Sequence, residues 1–171
     1  MAMDVMIGAL LALATGLFAS VLRLDRDRAF YPTVLVVVAS YYLLFAVMAQ
    51  AAGAIVPEVL VLLGFACLAA VGFRSSLWLV VAGLAGHGLF DALRGGLIAN
   101  PGTPAWWPMF CLSYDVAAAG YLALLLSLRG RRQRSASSPG EVRPSEDYPQ
   151  PIPSPSAAPR AGVIVRARRG G

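Results

Sequence analysis

Long apolar segments, separated by short polar or turn-rich stretches, dominate the first 130 residues of the chain. Five of them approach the ~20 residues with which an α-helix crosses ~30 Å of hydrocarbon. They run over residues 4–22, 33–52, 55–73, 77–93 and 108–128. Because backbone polar groups in lipid need partners within the segment, helices are expected. The pattern predicts an all-α protein with a five-span transmembrane helical bundle over residues 1–130.

The basic residues support this number of spans. All fourteen are arginine. Three stretches carry thirteen of them: residues 23–28 after the first span, Arg74 after the third, and the chain from Arg129 onward. Five spans place these stretches on one side of the membrane and only Arg94 on the other. Since arginine and lysine accumulate on the cytoplasmic side, we expect the N-terminus outside and the C-terminal tail in the cytoplasm.

The composition changes after the last apolar segment. Residues 131–171 are polar, basic and rich in proline and serine. Such a segment has too little apolar surface to form a packed core. We therefore expect a disordered cytoplasmic tail, separate from the transmembrane domain.

Composition also limits the function classes. Hydrophobic residues make up 58% of the chain and charged residues 13%, about half the charged fraction of soluble domains. The net charge of +5 lies mostly in a tail beside a membrane, which favours the lipid bilayer as partner and argues against nucleic acid. The exclusive use of arginine, with abundant Ala, Gly and Leu, is typical of a GC-rich bacterial genome. This indicates a multi-pass protein of the bacterial cytoplasmic (inner) membrane, of unknown oligomeric state.

Two neighbouring spans carry a group of polar side chains. Residues four and seven apart share one face of a helix, as His87, Asp91 and Arg94 do in the fourth span. In the fifth span, Cys111 and Asp115 share a face. With an antiparallel fourth and fifth span, His87 and Asp115 both lie ~10 Å from the outer ends of their helices. The predicted polar pocket near the external face consists of His87, Asp91, Arg94, Cys111, Tyr114 and Asp115.

Three interpretations of this pocket remain open. The first is structural: Arg94 pairs with Asp91 or Asp115, and the network fixes helix packing. The second is proton or ion binding, because ionisable residues inside a membrane often mark such paths. The third is a zinc site, with ligands from His87, Asp91, Cys111 and Asp115, in which the metal activates water for hydrolysis.

No HExxH, GxSxG or phosphate-binding motif narrows the chemistry. Catalytic residues are therefore unknown and enzymatic activity stays open. A role in binding or transporting a small ligand, proton or ion, without a cofactor, is the leading function class. A membrane-embedded metal-dependent hydrolase that uses zinc is the alternative.

Some nearby residues favour simpler interpretations. Glu58, near the start of the third span, is expected to be solvated at the interface or to rim the pocket. Tyr42, in the second span, is expected to serve packing. Gly83, Gly86 and Gly88 in the fourth span are expected to let helices approach closely.

A resemblance follows from the sequence HGLFDALRG and the later NPGTPAWWPMFCLSYDVAAAGYL. These stretches resemble a pattern in small uncharacterised bacterial multi-pass membrane proteins. In that pattern a His-x3-Asp helix precedes a helix with Trp-Pro, Cys and Asp. The resemblance covers about residues 86–122 and implies a membrane fold without a known activity.

Overall fold

The computed structural model describes residues 1–137. They form five long helices: α1 (Ala2–Val21), α2 (Phe30–Met48), α3 (Ala52–Arg74), α4 (Leu77–Leu93) and α5 (Trp107–Ser137). Short 3-10 turns follow α1 and α4. Each of the five long helices, with α4 counted together with its 3-10 turn as Leu77–Gly96, is long and apolar enough to cross a membrane. The predicted all-α class and the five spans are confirmed.

The outer surface of the bundle is apolar. Large hydrophobic side chains on every helix are exposed, as expected for a surface that faces lipid tails rather than water. Examples are Leu10, Leu17, Leu44, Val56, Leu60, Leu89, Val116 and Leu124. The protein is therefore a multi-pass membrane protein by the composition and surface of its helices.

Neighbouring helices pack in the order α1, α5, α4, α3, α2. The last helix thus lies between the first and the fourth. Small residues make the α1–α5 interface close: the ring of Tyr121 would lie 2.8 Å from a Cβ added at Gly16. Without a hydrophobic driving force between helices in lipid, such close backbone packing is a main source of association.

The α2–α3 connection is a tight turn. Gln50 has a positive φ of 53°. The Ala51 N–H donates to the Ala46 carbonyl and the Gln50 N–H donates to the Val47 carbonyl. This Schellman arrangement ends α2 and lets α3 begin at Ala52, antiparallel to α2.

Arginine side chains tie one end of the bundle together. Arg28 donates from Nε to the Phe73 carbonyl and from Nη2 to the Ser75 carbonyl, both at 3.1 Å. Arg129 pairs with Asp25 at 2.6 Å. The three arginine-bearing stretches therefore meet at one end, which we call the arginine end. The opposite end carries the α4–α5 connection and is called the loop end.

The five-span prediction requires the arginine-bearing stretches to lie on one side of the membrane, and they do meet at one end of the bundle. Which face of the membrane this end occupies stays a prediction. Helix α5 continues to Ser137, so the first seven residues of the segment predicted to be disordered are helical. Arginine and glutamine favour helix, and the helix can continue past the hydrocarbon. The rest of the predicted tail lies outside the described residues.

Candidate functional site

His87 and Asp115 meet at the α4–α5 interface. The imidazole Nδ1 lies 2.6 Å from Asp115 Oδ2, and both side chains are fully buried. Antiparallel α4 and α5 bring the two residues to the same depth, as predicted. The prediction that His87 approaches Asp115 is confirmed.

Asp91 lies one helical turn from His87 and completes the group. Its Oδ2 is 3.4 Å from His87 Nδ1, and the side chain is 1% exposed. Tyr42 is a neighbour of Asp91, but neither carboxylate oxygen of Asp91 nor the Tyr42 hydroxyl makes a hydrogen bond of normal geometry. Buried carboxylate oxygens are usually hydrogen-bonded, so Asp91 is an exception that needs a reason.

The three residues are close enough to hold one cation. One ligand atom each from His87, Asp91 and Asp115 lies within 4.8 Å of the others. We call these three residues the His–Asp cluster. Cys111, which the sequence placed among the metal ligands, is buried but is not part of this group among the described residues.

Arg94 does not pair as expected. Its guanidinium donates to both carboxylate oxygens of Glu58 on α3, so among the described residues the ion-pair partner is neither Asp91 nor Asp115. Glu58 is 1% exposed, and the expectation that it is solvated at the interface was wrong. The physical reason is that α3 packs against α4, which brings Glu58 to the buried side of Arg94.

Tyr42 and Asn100 complete the surroundings of this ion pair. The Arg94 guanidinium carbon lies 3.4 Å from the centre of the Tyr42 ring, a cation–π contact. Asn100 donates from Nδ2 to Glu58 Oε1 at 2.9 Å and to the Tyr42 carbonyl at 3.0 Å. Tyr42 also lies beside His87, with ring centres 6.3 Å apart. The ion pair and the His–Asp cluster thus share Tyr42 as a neighbour.

Cys111 lies near both aspartates of the His–Asp cluster, and together with Tyr114 it also borders a second space. Cys111 and Tyr114 line a mostly apolar groove of about 580 Å³, together with residues of α1 and α2. Tyr114 stacks on Phe110 and is not one of the three residues of the His–Asp cluster. The predicted six-residue pocket is therefore divided into the cluster, the Arg94 ion pair and the edge of this groove.

Close helix packing holds the cluster in place. A Cβ added at Gly88 would lie 3.2 Å from Asp115 Cβ and 3.2 Å from the Leu112 carbonyl oxygen. At Gly83 it would lie 2.6 Å from a Leu35 methyl group. The predicted role of these glycines is confirmed. At Gly86 an added Cβ would meet nothing within 4 Å, so the same prediction was wrong there.

Sequence reasoning missed Glu58 and Asn100 as functional candidates. The signal for Glu58 was a single carboxylate in an otherwise apolar segment, opposite a single arginine on the same side of the membrane. No local signal distinguished Asn100, because asparagine is common in turn-rich loops.

Comparisons with known proteins do not assign this chain to a family. Neither a family model, nor a curated protein, nor a solved structure matches this chain. The function is therefore inferred from the geometry of the site.

Proposed function

We propose that this membrane protein binds a cation, a proton or a divalent metal ion, at the His–Asp cluster, as part of an ion-binding or transport role. The observation that carries the proposal is the buried carboxylate of Asp91, which lies 3.4 Å from His87 Nδ1 and beside Tyr42 but makes no hydrogen bond of normal geometry. Ionisable groups inside a membrane are costly and usually serve a purpose.

Charge balance supports a bound cation. With His87 protonated and both aspartates ionised, the cluster carries one negative charge. With neutral His87 it carries two. Uncompensated buried charge is strongly unfavourable. One proton on Asp91 neutralises the first state and one divalent cation neutralises the second.

Arg94 does not supply the missing positive charge. Its guanidinium is already neutralised by the carboxylate of Glu58. The ion pair as a whole is neutral, so the cluster needs its own cation. This removes the main objection to a cation site, namely the presence of an arginine close by.

A membrane-embedded metal-dependent hydrolase is the second candidate. Three protein ligands is the number that catalytic zinc sites use, with the fourth position left for water, and the cluster offers three. This candidate also needs a substrate cleft that reaches the ligands. The groove beside Cys111 does not include any of the three among its lining residues, so cation binding without hydrolysis is preferred.

The arginine residues indicate both the membrane in which the protein lies and its orientation there. We propose a bacterial cytoplasmic membrane with the arginine end in the cytoplasm, supported by the meeting of the arginine-bearing stretches at one end and by the arginine-only basic composition.

Two measurements on protein in lipid nanodiscs test the proposal. For protons, infrared difference spectra between acidic and alkaline buffer are expected to show the carbonyl band of a protonated carboxylic acid that disappears in Asp91→Asn. For metals, Co²⁺ titration is expected to give a saturable ligand-field spectrum at one ion per chain that disappears in His87→Ala.

Ser127→Ala is the matched control, because its hydroxyl bonds only to its own helix, at the Ala123 carbonyl. Either signal with the stated loss supports the proposal and identifies the cation. Absence of both signals in folded protein shows that the cluster is structural.

A further inference from the structure

The His–Asp cluster has no direct contact with water, so a cation needs a route to it. The side chains of His87, Asp91 and Asp115 are at most 1% exposed. Asp91 is three residues from Arg94, the first residue of the 3-10 turn that follows α4 and leads into the loop-end connection. The shortest route to water along α4 is therefore toward the loop end.

The connection between α4 and α5 covers this end. Residues 97–106 follow the 3-10 turn Arg94–Gly96 and lead back to Trp107. Asn100 fastens this stretch to two other helices, through Glu58 on α3 and the Tyr42 carbonyl on α2. Its Oδ1 also accepts from the Gly102 N–H at 3.2 Å, which fixes the shape of the loop around the asparagine.

Gly102 is a second attachment point. An added Cβ there would overlap the Phe45 carbonyl oxygen and lie 2.8 Å from Ala49 Cβ. The loop backbone thus lies directly on the end of α2. At Gly95 and Gly96, by contrast, an added Cβ would meet nothing within 4 Å. The loop is therefore held at its middle, while the two glycines that connect it to α4 are unconfined.

The attachment point on α3 is the residue that neutralises Arg94. Glu58 accepts from both Arg94 and Asn100, and Arg94 lies on the face of Tyr42, next to Asp91. Loss of the Asn100–Glu58 hydrogen bond is therefore expected to loosen both the loop and the Arg94–Glu58 ion pair near Asp91.

We propose that residues 97–106, fastened by Asn100 to Glu58, form a gate that closes the aqueous route from the loop end to the His–Asp cluster. The inference rests on the proposed cation-binding function, for which the gate supplies the access control. Opening requires loss of the two Asn100 hydrogen bonds and leaves the α4–α5 packing at Gly88 unchanged.

Cys111 provides a built-in probe of the gate. It is buried and lies one turn from Asp115, on the loop-end side of that residue. Because Cys111 also borders the mostly apolar groove described above, the reagent must be charged so that it does not reach Cys111 through apolar surroundings. Cys67 is the other cysteine and is exposed, so all variants carry Cys67→Ala.

The experiment measures how fast a charged, membrane-impermeant maleimide modifies Cys111 in nanodiscs. Asn100→Ala and Gly102→Ala each remove an attachment, and both are expected to raise the rate about tenfold or more, as for the loss of interactions of ordinary hydrogen-bond strength. Gly53→Ala is the matched glycine control at the same end, since an added Cβ meets nothing there. Arg28→Ala loosens the arginine end instead.

Faster labelling in Asn100→Ala and Gly102→Ala, with less than a twofold change in both controls, supports the gate. Unchanged labelling in both loop variants overturns it. An equal increase in Arg28→Ala also overturns it, because access then comes from general loosening. A variant that loses its folded circular dichroism spectrum is replaced by Asn100→Asp, which keeps the side-chain shape but places a carboxylate against Glu58 and is expected to open the gate in the same way.

The two proposals can fail separately. Cys111 labelling does not depend on a bound cation, so it tests the gate even when the infrared and Co²⁺ signals are absent. Conversely, cation binding with unchanged labelling retains the proposed function and rejects the gate.

Discussion

The carboxylate of Glu58 on α3 accepts hydrogen bonds from the guanidinium of Arg94 at the end of α4, and both side chains are buried. Breaking a buried ion pair leaves one charge without a partner, whereas replacing both partners with apolar residues of similar size removes the problem. The pair therefore allows a clear test of its contribution to stability.

We expect Glu58→Leu and Arg94→Leu each to lower the free energy of unfolding by about 3–5 kcal/mol. The double variant is expected to be more stable than either single variant. Unfolding by SDS in mixed micelles, followed by circular dichroism, measures the difference. Equal or additive losses in the double variant contradict a direct pairing of the two residues.

The glycines of α4 give a second prediction about packing. Gly88→Ala forces a methyl group against the backbone of α5 at Leu112 and against Asp115, which costs about 1–3 kcal/mol as overpacking. Gly86→Ala meets open space and gains up to about 1 kcal/mol of helix propensity. The same SDS unfolding measurement is expected to rank Gly88→Ala below the parent protein and Gly86→Ala at or above it. The reverse order is incompatible with the described α4–α5 contact.

Much of the architecture was predictable from hydrophobicity alone. The fourth span, residues 77–93, coincides with α4, the first three differ from their helices by at most four residues at either end, and α5 ends nine residues beyond the predicted fifth span. The architecture was predictable because a bilayer requires spanning segments to be helical and its thickness sets their length. The end of α5 was less predictable, since Arg131 to Ser137 form helix through local propensity rather than apolar burial.

The parts of the site that depend on the periodicity of a single helix, or on one short connection between two helices, were predictable from the sequence. The spacing of His87 and Asp91 placed them on one face, and the short connection after α4 made Asp115 their neighbour. The partner of Arg94 was not predictable in this way. It depends on which helix packs beside α4, and the hydrophobic pattern does not specify the order α5, α4, α3.

The orientation in the membrane gives a third prediction. With the arginine end inside, the C-terminus is cytoplasmic and the N-terminus external. A green fluorescent protein fused to the C-terminus is expected to be fluorescent, and alkaline phosphatase at the same position to be inactive. Active phosphatase with a dark fluorescent protein would show the opposite orientation. Replacing Arg129, Arg131, Arg132 and Arg134 with alanine is expected to weaken the preference.

The last prediction separates stability from cation binding within the His–Asp cluster. Asp115 makes a 2.6 Å contact with His87 Nδ1, while Asp91 lies at 3.4 Å without a hydrogen bond. Loss of a short, buried, hydrogen-bonded contact costs more than loss of a longer contact without normal hydrogen-bond geometry. Asp115→Asn is therefore expected to lower the free energy of unfolding more than Asp91→Asn.

Cation binding is expected to respond differently. Both substitutions remove one carboxylate from a group of three ligands, so both are expected to abolish the Co²⁺ spectrum or the infrared carbonyl band described above. If the cluster is purely structural, the parent protein gives neither the Co²⁺ spectrum nor the infrared band. Each substitution then lowers the free energy of unfolding according to the contacts that the substituted aspartate makes. If Asp91→Asn destabilises the protein as much as Asp115→Asn, then Asp91 is a structural partner of His87 and its carboxylate no longer supports a cation site.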